Sequence, residues 1–240
     1  MKKVLQDSRI HIYEKTPAIS VDHNKVKTPH ATISAQHIIM CTDHHTPDLL
    51  PEMKYAIYHV QTFILISKPL TDDQMKSIFP NKRFMAWDTD MIYHYFRATA
   101  DNRILVGGAS LYYTFAEKPV HNSQYMIKNL SNYFYKKFPH ATFVQFEAIW
   151  PGLIGISKDI FPIAGFDKNI PSVYYATACA GLPFAAALGD YASQAILKNR
   201  IDLDRYFSPY RKFALGKTAQ SILGTKLAFA LNNFFKVSSL

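Results

Sequence analysis

The chain has 240 residues, of which 48% are hydrophobic and 14% aromatic, enough to bury a sizeable core in one large domain or two small ones. Its 27 Lys+Arg against 18 Asp+Glu give a formal charge of +9, a balance suited to an anionic partner such as nucleic acid, an acidic membrane surface or an anionic cofactor. No nucleic-acid-binding motif accompanies the charge, so nucleic acid is not an expected partner.

Met1 to Ser8 reads as the end of a helix, and Arg9 to Glu14 alternates as a short strand would. Val26 to Lys27 and Ala31 to Ala35 read as two arms of a small antiparallel element. His37 to Thr42 is a continuous apolar run, typical of a strand buried on both faces, and it ends in a polar loop from Asp43 to Pro47. Ala56 to Ser67 predicts a long strand and Asp72 to Phe79 a short helix. Three β-like runs follow, at Phe84 to Thr89, Ile92 to Thr99 and Ile104 to Val106, the last entering Gly107-Gly108. In Asn122 to Phe138 the residues Tyr125, Met126, Leu130, Tyr133, Phe134 and Phe138 fit one helix face. Thr142 to Trp150 returns as a strand. The apolar run from Val173 enters a glycine turn at Gly181 and an alanine-rich helical pattern leaves it, which reads as a strand, a tight turn and a helix start. Thr218 to Lys236 places Ile222, Leu223, Leu227, Ala230, Leu231 and Phe234 at helical spacing, flanked by Lys217, Lys226 and Lys236. Such a basic amphipathic helix packs onto the protein body or lies on a membrane surface.

A strand, glycine turn and helix start bring backbone N–H groups up to a bound cofactor. The first glycine in the chain, however, is Gly107, and no Gly-x-Gly-x-x-Gly occurs anywhere. The usual device for holding a dinucleotide pyrophosphate, and any Walker-type phosphate loop, is therefore missing from these residues.

Tyr95-Phe96-Arg97, Asp101-Asn102-Arg103 and Gly107-Gly108 stand in one segment. Trp150-Pro151-Gly152-Leu153, Ser157-Lys158-Asp159 and Phe161-Pro162-Ile163-Ala164-Gly165 follow in order, then Tyr174-Tyr175-Ala176 with Gly181. Together these patterns resemble the D-amino-acid-oxidase-like FAD-dependent oxidoreductases, and within them the gamma-glutamylputrescine oxidoreductase type. The resemblance implies an α/β (α+β) chain: an incomplete Rossmann-like FAD domain plus a mixed-sheet substrate domain. It implies that residues 1–55 are a late part of the FAD-binding domain and 56–150 the substrate-binding domain. Residues 151–204 would be the C-terminal part of the FAD-binding domain, with 205–240 as a basic tail. The cofactor implied is FAD. It would be approached by Thr42, by Gly152 and Leu153, and by Gly181, Leu182, Pro183 and Phe184. Tyr95, Arg97 and Trp150 would face the substrate, a small-molecule amine or amino acid whose C–N bond is oxidised by hydride transfer to flavin. The N-terminal dinucleotide-binding segment of the family is not among these residues, so either a second chain supplies it as a partner or the chain is a truncated gene product. The alternative is a flavin-free remnant or partner-binding protein.

Departures from the family pattern sharpen those expectations. The family's Gly-His-Gly flavin loop is Gly181-Leu182-Pro183 here, and proline removes a donor. Ile154 stands where many amino-acid-oxidising members carry Arg, leaving Arg97 as the cation for a substrate carboxylate. Thr42-Asp43 replaces the family's Thr-Gly or Thr-Asn, and an acidic side chain there is unfavourable beside a phosphate.

Other candidate groups take structural roles. Asp159 is expected to cap turn N–H groups, Trp150 to contact the core as well as a cavity, and Tyr93, Tyr95 and Tyr133 to be core. His44 and His45 are adjacent and lack a second cluster at ligand spacing, so no metal site is expected. Cys41 and Cys179, the only cysteines, lie in apolar runs and read as buried reduced thiols. Neither a signal core nor an apolar run of about 20 residues is present, which points to a cytoplasmic protein with membrane contact, if any, through 218–236.

Overall fold

A computed structural model describes residues 4–5, 8, 10–89, 93–108, 124–178 and 181–237, with backbone alone at 182 and 232–237. In chain order it sets β1 (Ser20–Asp22), β2 (Lys25–Lys27), β3 (Thr32–Ser34), β4 (Ile38–Met40), α1 (Thr46–Leu49), β5 (Ile57–Ser67) and α2 (Asp72–Ile78). Then come β6 (Met85–Trp87), β7 (Tyr95–Ala98), β8 (Ile104–Gly108), α3 (Gln124–Lys137) and β9 (Phe146–Ser157). The remainder holds β10 (Ile163–Phe166), β11 (Val173–Thr177), α4 (Leu182–Lys198), α5 (Asp204–Phe207), α6 (Lys217–Leu223) and α7 (Thr225–Val237). Two compact units result: Met1–Ile57 with Ser157–Gly216, and Tyr58–Ile156 with Lys217–Leu240.

The first unit is built on a three-stranded sheet in the order β10-β11-β4. β11 runs parallel to β4 and antiparallel to β10. β11 is buried along its whole length because both its faces are covered. Met40, Tyr175 and Ile163 enter one core cluster, while Tyr174 and Ala176 meet Leu188, Tyr191, Ala192 and Ala195 of α4 in another. A separate small antiparallel sheet, β1-β2-β3, pairs Val26 with Ile33. Asp167, 2% exposed, holds the hairpin turn between β10 and β11. It accepts from the hydroxyls of Tyr175 and Tyr210, each at 2.7 Å, and from the N–H groups of Asn169 (2.7 Å) and Ile170 (2.8 Å). Burial pushes its pKa up, but these donors outweigh burial and hold the carboxyl below its ordinary value.

The second unit carries a five-stranded sheet, β6-β7-β8-β5-β9. The registered pairs β6/β7, β7/β8 and β5/β8 are antiparallel. Its core is one face of that sheet under α3: Phe63, Leu65, Phe96, Ile104 and Val106 against Met126, Leu130 and Phe134. The helix predicted from periodicity buries those three residues completely, whereas Tyr125 is 48% exposed. α2 starts in a capping box, with Gln74 N–H donating to Thr71 Oγ1 and Thr71 N–H to Gln74 Oε1.

Several expectations need correction. Ile10 to Glu14 form no strand and are exposed; alternation stabilises a strand only where a neighbour takes its hydrogen bonds. Arg9 lies outside the described residues. The run from His37 to Thr42 is a strand only at Ile38–Met40, and Ile39 is 47% exposed. The polar segment after it is a 3₁₀ turn, Asp43–His45, leading into α1. Cys41 is exposed rather than buried, and Cys179 lies outside the described residues. Tyr93 is 43% exposed. The amphipathic tail is two helices, broken at Gly224 where φ is +76°. No described helix is long and apolar enough to cross a membrane, and no group of His, Cys, Asp and Glu among the described residues could hold a metal.

Asp167 and Asp159 both sit below their ordinary pKa, Asp159 because Arg211 outweighs its burial. Depressed carboxylates stabilise the fold above the unfolded value of about 3.9, and that contribution is lost as pH falls through their folded values. Resistance to urea should therefore fall steeply below about pH 4. Asp167→Ala should cost on the order of 3 kcal/mol at pH 7, since it strands the buried Tyr175 hydroxyl and removes the acceptor of the Tyr210 hydroxyl and of two N–H groups, and should flatten the acid limb. An unchanged acid limb in the variant would contradict this account.

Candidate functional site

The second unit offers a surface on the sheet face that α3 leaves open. In antiparallel pairs, directly opposed residues share a face. Trp87, Tyr95, Gly107 and Ile64 form one row across four strands, and Met85, Arg97, Leu105 and Ile66 form the next. The intervening row of Ala86, Phe96, Val106 and Leu65 points into the core. On β9, Ile149 packs with that core, so alternation turns Trp150, Gly152 and Ile154 to the open face and Leu153 away from it. Trp87 is 65% exposed, Met85 53%, Trp150 42% and Ile154 38%. The expectation that Trp150 contacts the core is thus corrected: it belongs to an exposed aromatic face.

Tyr95 is fixed on this face by a glycine. A Cβ placed on Gly107 would lie 2.0 Å from Tyr95 Cζ, so the ring lies flat over the glycine backbone in the space a side chain would fill. Its neighbour His94 uses Gly108 likewise, with a Cβ there meeting the imidazole at 2.8 Å. His94 also stacks on Tyr133 with centroids 4.7 Å apart, and its Nε2 lies 2.9 Å from Asn129 Oδ1. Burial pushes the Tyr95 phenol up, Tyr93 adds to that rise, and Arg97 opposes it. The phenol is therefore neutral at physiological pH. Arg97 itself is exposed and makes no hydrogen bond or ion pair to another described residue.

Asp101-Asn102-Arg103, by contrast, does not reach the face; it ties off the β7–β8 turn. Asn102 takes the left-handed conformation, φ +58°, and donates to Asp72 at 2.8 Å. Arg103 donates to Asp101 (2.9 Å), to the Ser67 carbonyl (3.2 Å) and to Glu147.

In the first unit the candidate residues gather at the carboxyl ends of the two parallel strands, where open α/β sheets bind ligands. Thr42 follows β4 and Thr177 ends β11. Their hydroxyls are linked through Thr46, at 3.0 Å from Thr42 and 3.1 Å from Thr177. Asp43, next after Thr42, adopts φ +48°, the region that favours the Gly or Asn of the family pattern and that Asp tolerates. Gly181 caps α4 at φ +96°. The first turn of α4 offers N–H groups at Leu182 and Phe184 but none at Pro183, and it contains no acidic residue. Pro183 and Phe184 are exposed, Phe184 at 46%. The side chain of Leu182 lies outside the described residues.

The expected cofactor-contact residues are therefore not brought together in one unit. Thr42 and Gly181 to Phe184 lie in the first, whereas Gly152 and Leu153 lie with Trp150 in β9 of the second, the unit that also carries Tyr95 and Arg97 on β7. Asp159 caps the Phe161 N–H at 3.2 Å, as expected of a turn carboxylate. It also takes a bidentate pair from Arg211, at 2.6 Å to each oxygen.

The sequence model of the FAD-dependent oxidoreductase (DAO) family matches residues 1–195. The chain belongs to the FAD-dependent oxidoreductase family. It is 26% identical over 208 residues to the probable oxidoreductase OrdL of Haemophilus influenzae, covering 82% of this chain and 45% of that protein. It is also 26% identical over 164 residues to the gamma-glutamylputrescine oxidoreductase of Escherichia coli, covering 66% of this chain and 37% of that one. The chain thus matches less than half the length of either relative. Among solved structures, L-proline dehydrogenase from P. horikoshii superposes with a TM-score of 0.71 at 18% identity, covering 85% of this chain and 56% of that one. Glycine oxidase from Geobacillus kaustophilus gives 0.69 at 15%, covering 85% and 54%. At these identities the likeness is one of fold. FAD is the cofactor named in the family's description.

Trp87, Met85 and Thr177 were not legible as site residues. The signal for Trp87 lies in register: it opposes Tyr95 across β6 and β7. Gly107→Ala should destabilise the protein by about 1–3 kcal/mol, because the methyl group and the Tyr95 ring cannot share the space. In a double-mutant cycle with Tyr95→Ala that cost should vanish, so that the double variant unfolds at the same urea midpoint as Tyr95→Ala alone.

Proposed function

We propose that this chain supplies the substrate-side face and the flavin-ring side of the cofactor site in an FAD-dependent oxidoreductase acting on the C–N bond of an amine or amino acid. The observation that carries the reading is the open sheet face, which carries an exposed guanidinium, Arg97, in the row beside Trp87 and Tyr95, and Trp150 on the edge strand β9. FAD, when bound, supplies the acceptor for a hydride leaving the carbon next to nitrogen. The nitrogen lone pair forms the C=N bond as that hydride departs, a nitrogen proton passes to solvent, and water then hydrolyses the imine. The chain's own work is to bind and orient. Arg97 pairs with a substrate carboxylate through charge-assisted hydrogen bonds. The three aromatic rings exclude water around the amine-bearing carbon.

On the cofactor side the residues fit one part of FAD. The N-terminal end of α4 presents N–H groups and a positive dipole end, which suits the electron-rich edge of a flavin ring. Thr42 and Thr177 stand at the neighbouring strand ends. No glycine turn among these residues suits the pyrophosphate, since none precedes Gly107. The proposal therefore includes a further polypeptide segment that completes the FAD site. The exposed apolar start of α4, Pro183 to Ala187, and the exposed Ile39 on β4 support it.

Two measurements test the reading. FAD titrated into the protein should leave a yellow, protein-bound flavin band after gel filtration when the completing segment is present; a colourless protein under that condition sinks the cofactor half. Tryptophan emission should respond to glycine and to longer amino acids, because both tryptophans of the chain, Trp87 and Trp150, lie on the proposed face. Arg97→Ala should weaken an amino acid about tenfold or more, from a lost charge-assisted contact of roughly 1.5–3 kcal/mol, and leave a neutral alkylamide unchanged. Equal loss for both ligands would remove Arg97 from the carboxylate role.

A further inference from the structure

A cavity of about 310 Å³ lies along α2 and the segment that leads from it to β6, within the second unit. Its buried lining is Met75 and Phe79, 2% and 4% exposed, which belong to the core under α3. The cavity therefore shares no residue with the open sheet face, and the proposed chemistry makes no use of it. Three exposed cations, Lys76, Lys82 and Arg83, line it together with a single carboxylate, Asp72.

These charges are left unpaired although a pairing was within reach. Asp72 stands one helical turn before Lys76, the spacing at which an acid and a lysine meet on a helix surface. The carboxylate instead accepts from Asn102 Nδ2 at 2.8 Å, and Asn102 Oδ1 accepts from Arg83 Nη2. Asn102 thus stands between the carboxylate and the guanidinium and holds both, so that neither neutralises the other directly. Arg83 also reaches the Thr99 carbonyl at 3.4 Å, which fixes it at the cavity wall. Among the described residues neither Lys76 nor Lys82 makes a hydrogen bond or an ion pair. Capping of α2 does not employ them either: the Ser77 carbonyl lies 3.1 Å from His140 Nε2, and the Met75 carbonyl accepts from Phe79 N–H.

We propose that this cavity is a binding site for a phosphate group, held by Lys76, Lys82 and Arg83. Three positive charges gathered on one cavity repel one another, and an anion seated among them removes that repulsion. A phosphate carries close to two negative charges and three strong acceptor oxygens, one for each cation. The guanidinium, held by Asn102 and Thr99, supplies fixed donors, and the two ammonium groups close on the remaining oxygens as mobile point charges. A carboxylate has one charge and two oxygens and leaves one cation unmatched. The volume, near the lower end of the roughly 300–1,000 Å³ of small-molecule sites, leaves room beyond the phosphate for a small carbon body against Met75 and Phe79. The site stands independently of the flavin chemistry.

The test is calorimetric titration of the whole chain at constant ionic strength with phenyl phosphate, inorganic phosphate and benzoate. Phenyl phosphate should bind saturably, and Lys76→Ala and Lys82→Ala should each weaken it about tenfold, the loss expected for one charge-assisted contact. Lys82→Arg should restore most of the affinity. Both lysines are exposed and unbonded, so each variant should keep the wild-type urea midpoint and any loss reports binding alone. Inorganic phosphate held as tightly as phenyl phosphate assigns the site to the free ion, and inorganic phosphate held about tenfold more weakly assigns it to a monoester; both support the site. Benzoate bound as tightly as phenyl phosphate overturns the phosphate assignment. Saturable binding of neither phosphate probe overturns the site, and so does an affinity unchanged in the Lys76→Ala/Lys82→Ala double variant, which would place phosphate elsewhere on the chain.

Discussion

Burial of one face of the five-stranded sheet under α3 decides what the other face can do. Side chains alternate along a strand, so once Phe63, Leu65, Phe96 and Val106 are committed to Met126, Leu130 and Phe134, their neighbours must point the other way. Tyr95 and Arg97 flank Phe96, and Ile64 and Ile66 flank Leu65. A slip of one residue in any pairing would bury the guanidinium and expose the phenylalanines, which makes the register strongly specified. The surface proposed for substrate is thus the complement of a hydrophobic core, held in place by it.

Glycine refines that arrangement. Gly107 and Gly108 are costly in a strand interior, where they contribute no side chain and lose backbone entropy. Here they give the Tyr95 and His94 rings a seat on the backbone itself. The conformational cost is offset by fixing an aromatic side chain on an otherwise open surface, where its rotamers would be free.

Most of the residues that carry the family resemblance do not touch the proposed face. Asn102 and Arg103 fasten a hairpin turn to Ser67, Asp72 and Glu147. Ser157 and Asp159 fasten the turn before β10, and Arg211 closes on it from outside the family match with five hydrogen bonds to Asp159, Phe161, Phe207 and Ser208. Asp167 performs the same service for the β10–β11 hairpin through Tyr175 and Tyr210. Motifs of this kind identify a fold because they set the geometry of its turns, and turns set strand register. They say less about the side chains of the open face, such as Arg97 and Ile154, which take no part in those turns.

The sequence by itself determined the elements whose signal is local. The periodicity of Asn122 to Phe138, the capping residues before Asp72, the long apolar run of β5 and the glycine turn before α4 all have their cause within a few residues, and they form where that cause lies. It also determined the family, through motifs whose turn chemistry is local too. The tertiary structure alone decided which strands became neighbours, because pairing joins residues tens of positions apart and depends on a core that no single segment contains. Trp87 joined Tyr95, Trp150 left the core, Ile10 to Glu14 found no partner, and the tail broke at Gly224 to place Phe229 over Tyr58. Each of these outcomes follows from a contact at long range, where the hydrophobic term acts without regard to distance along the chain.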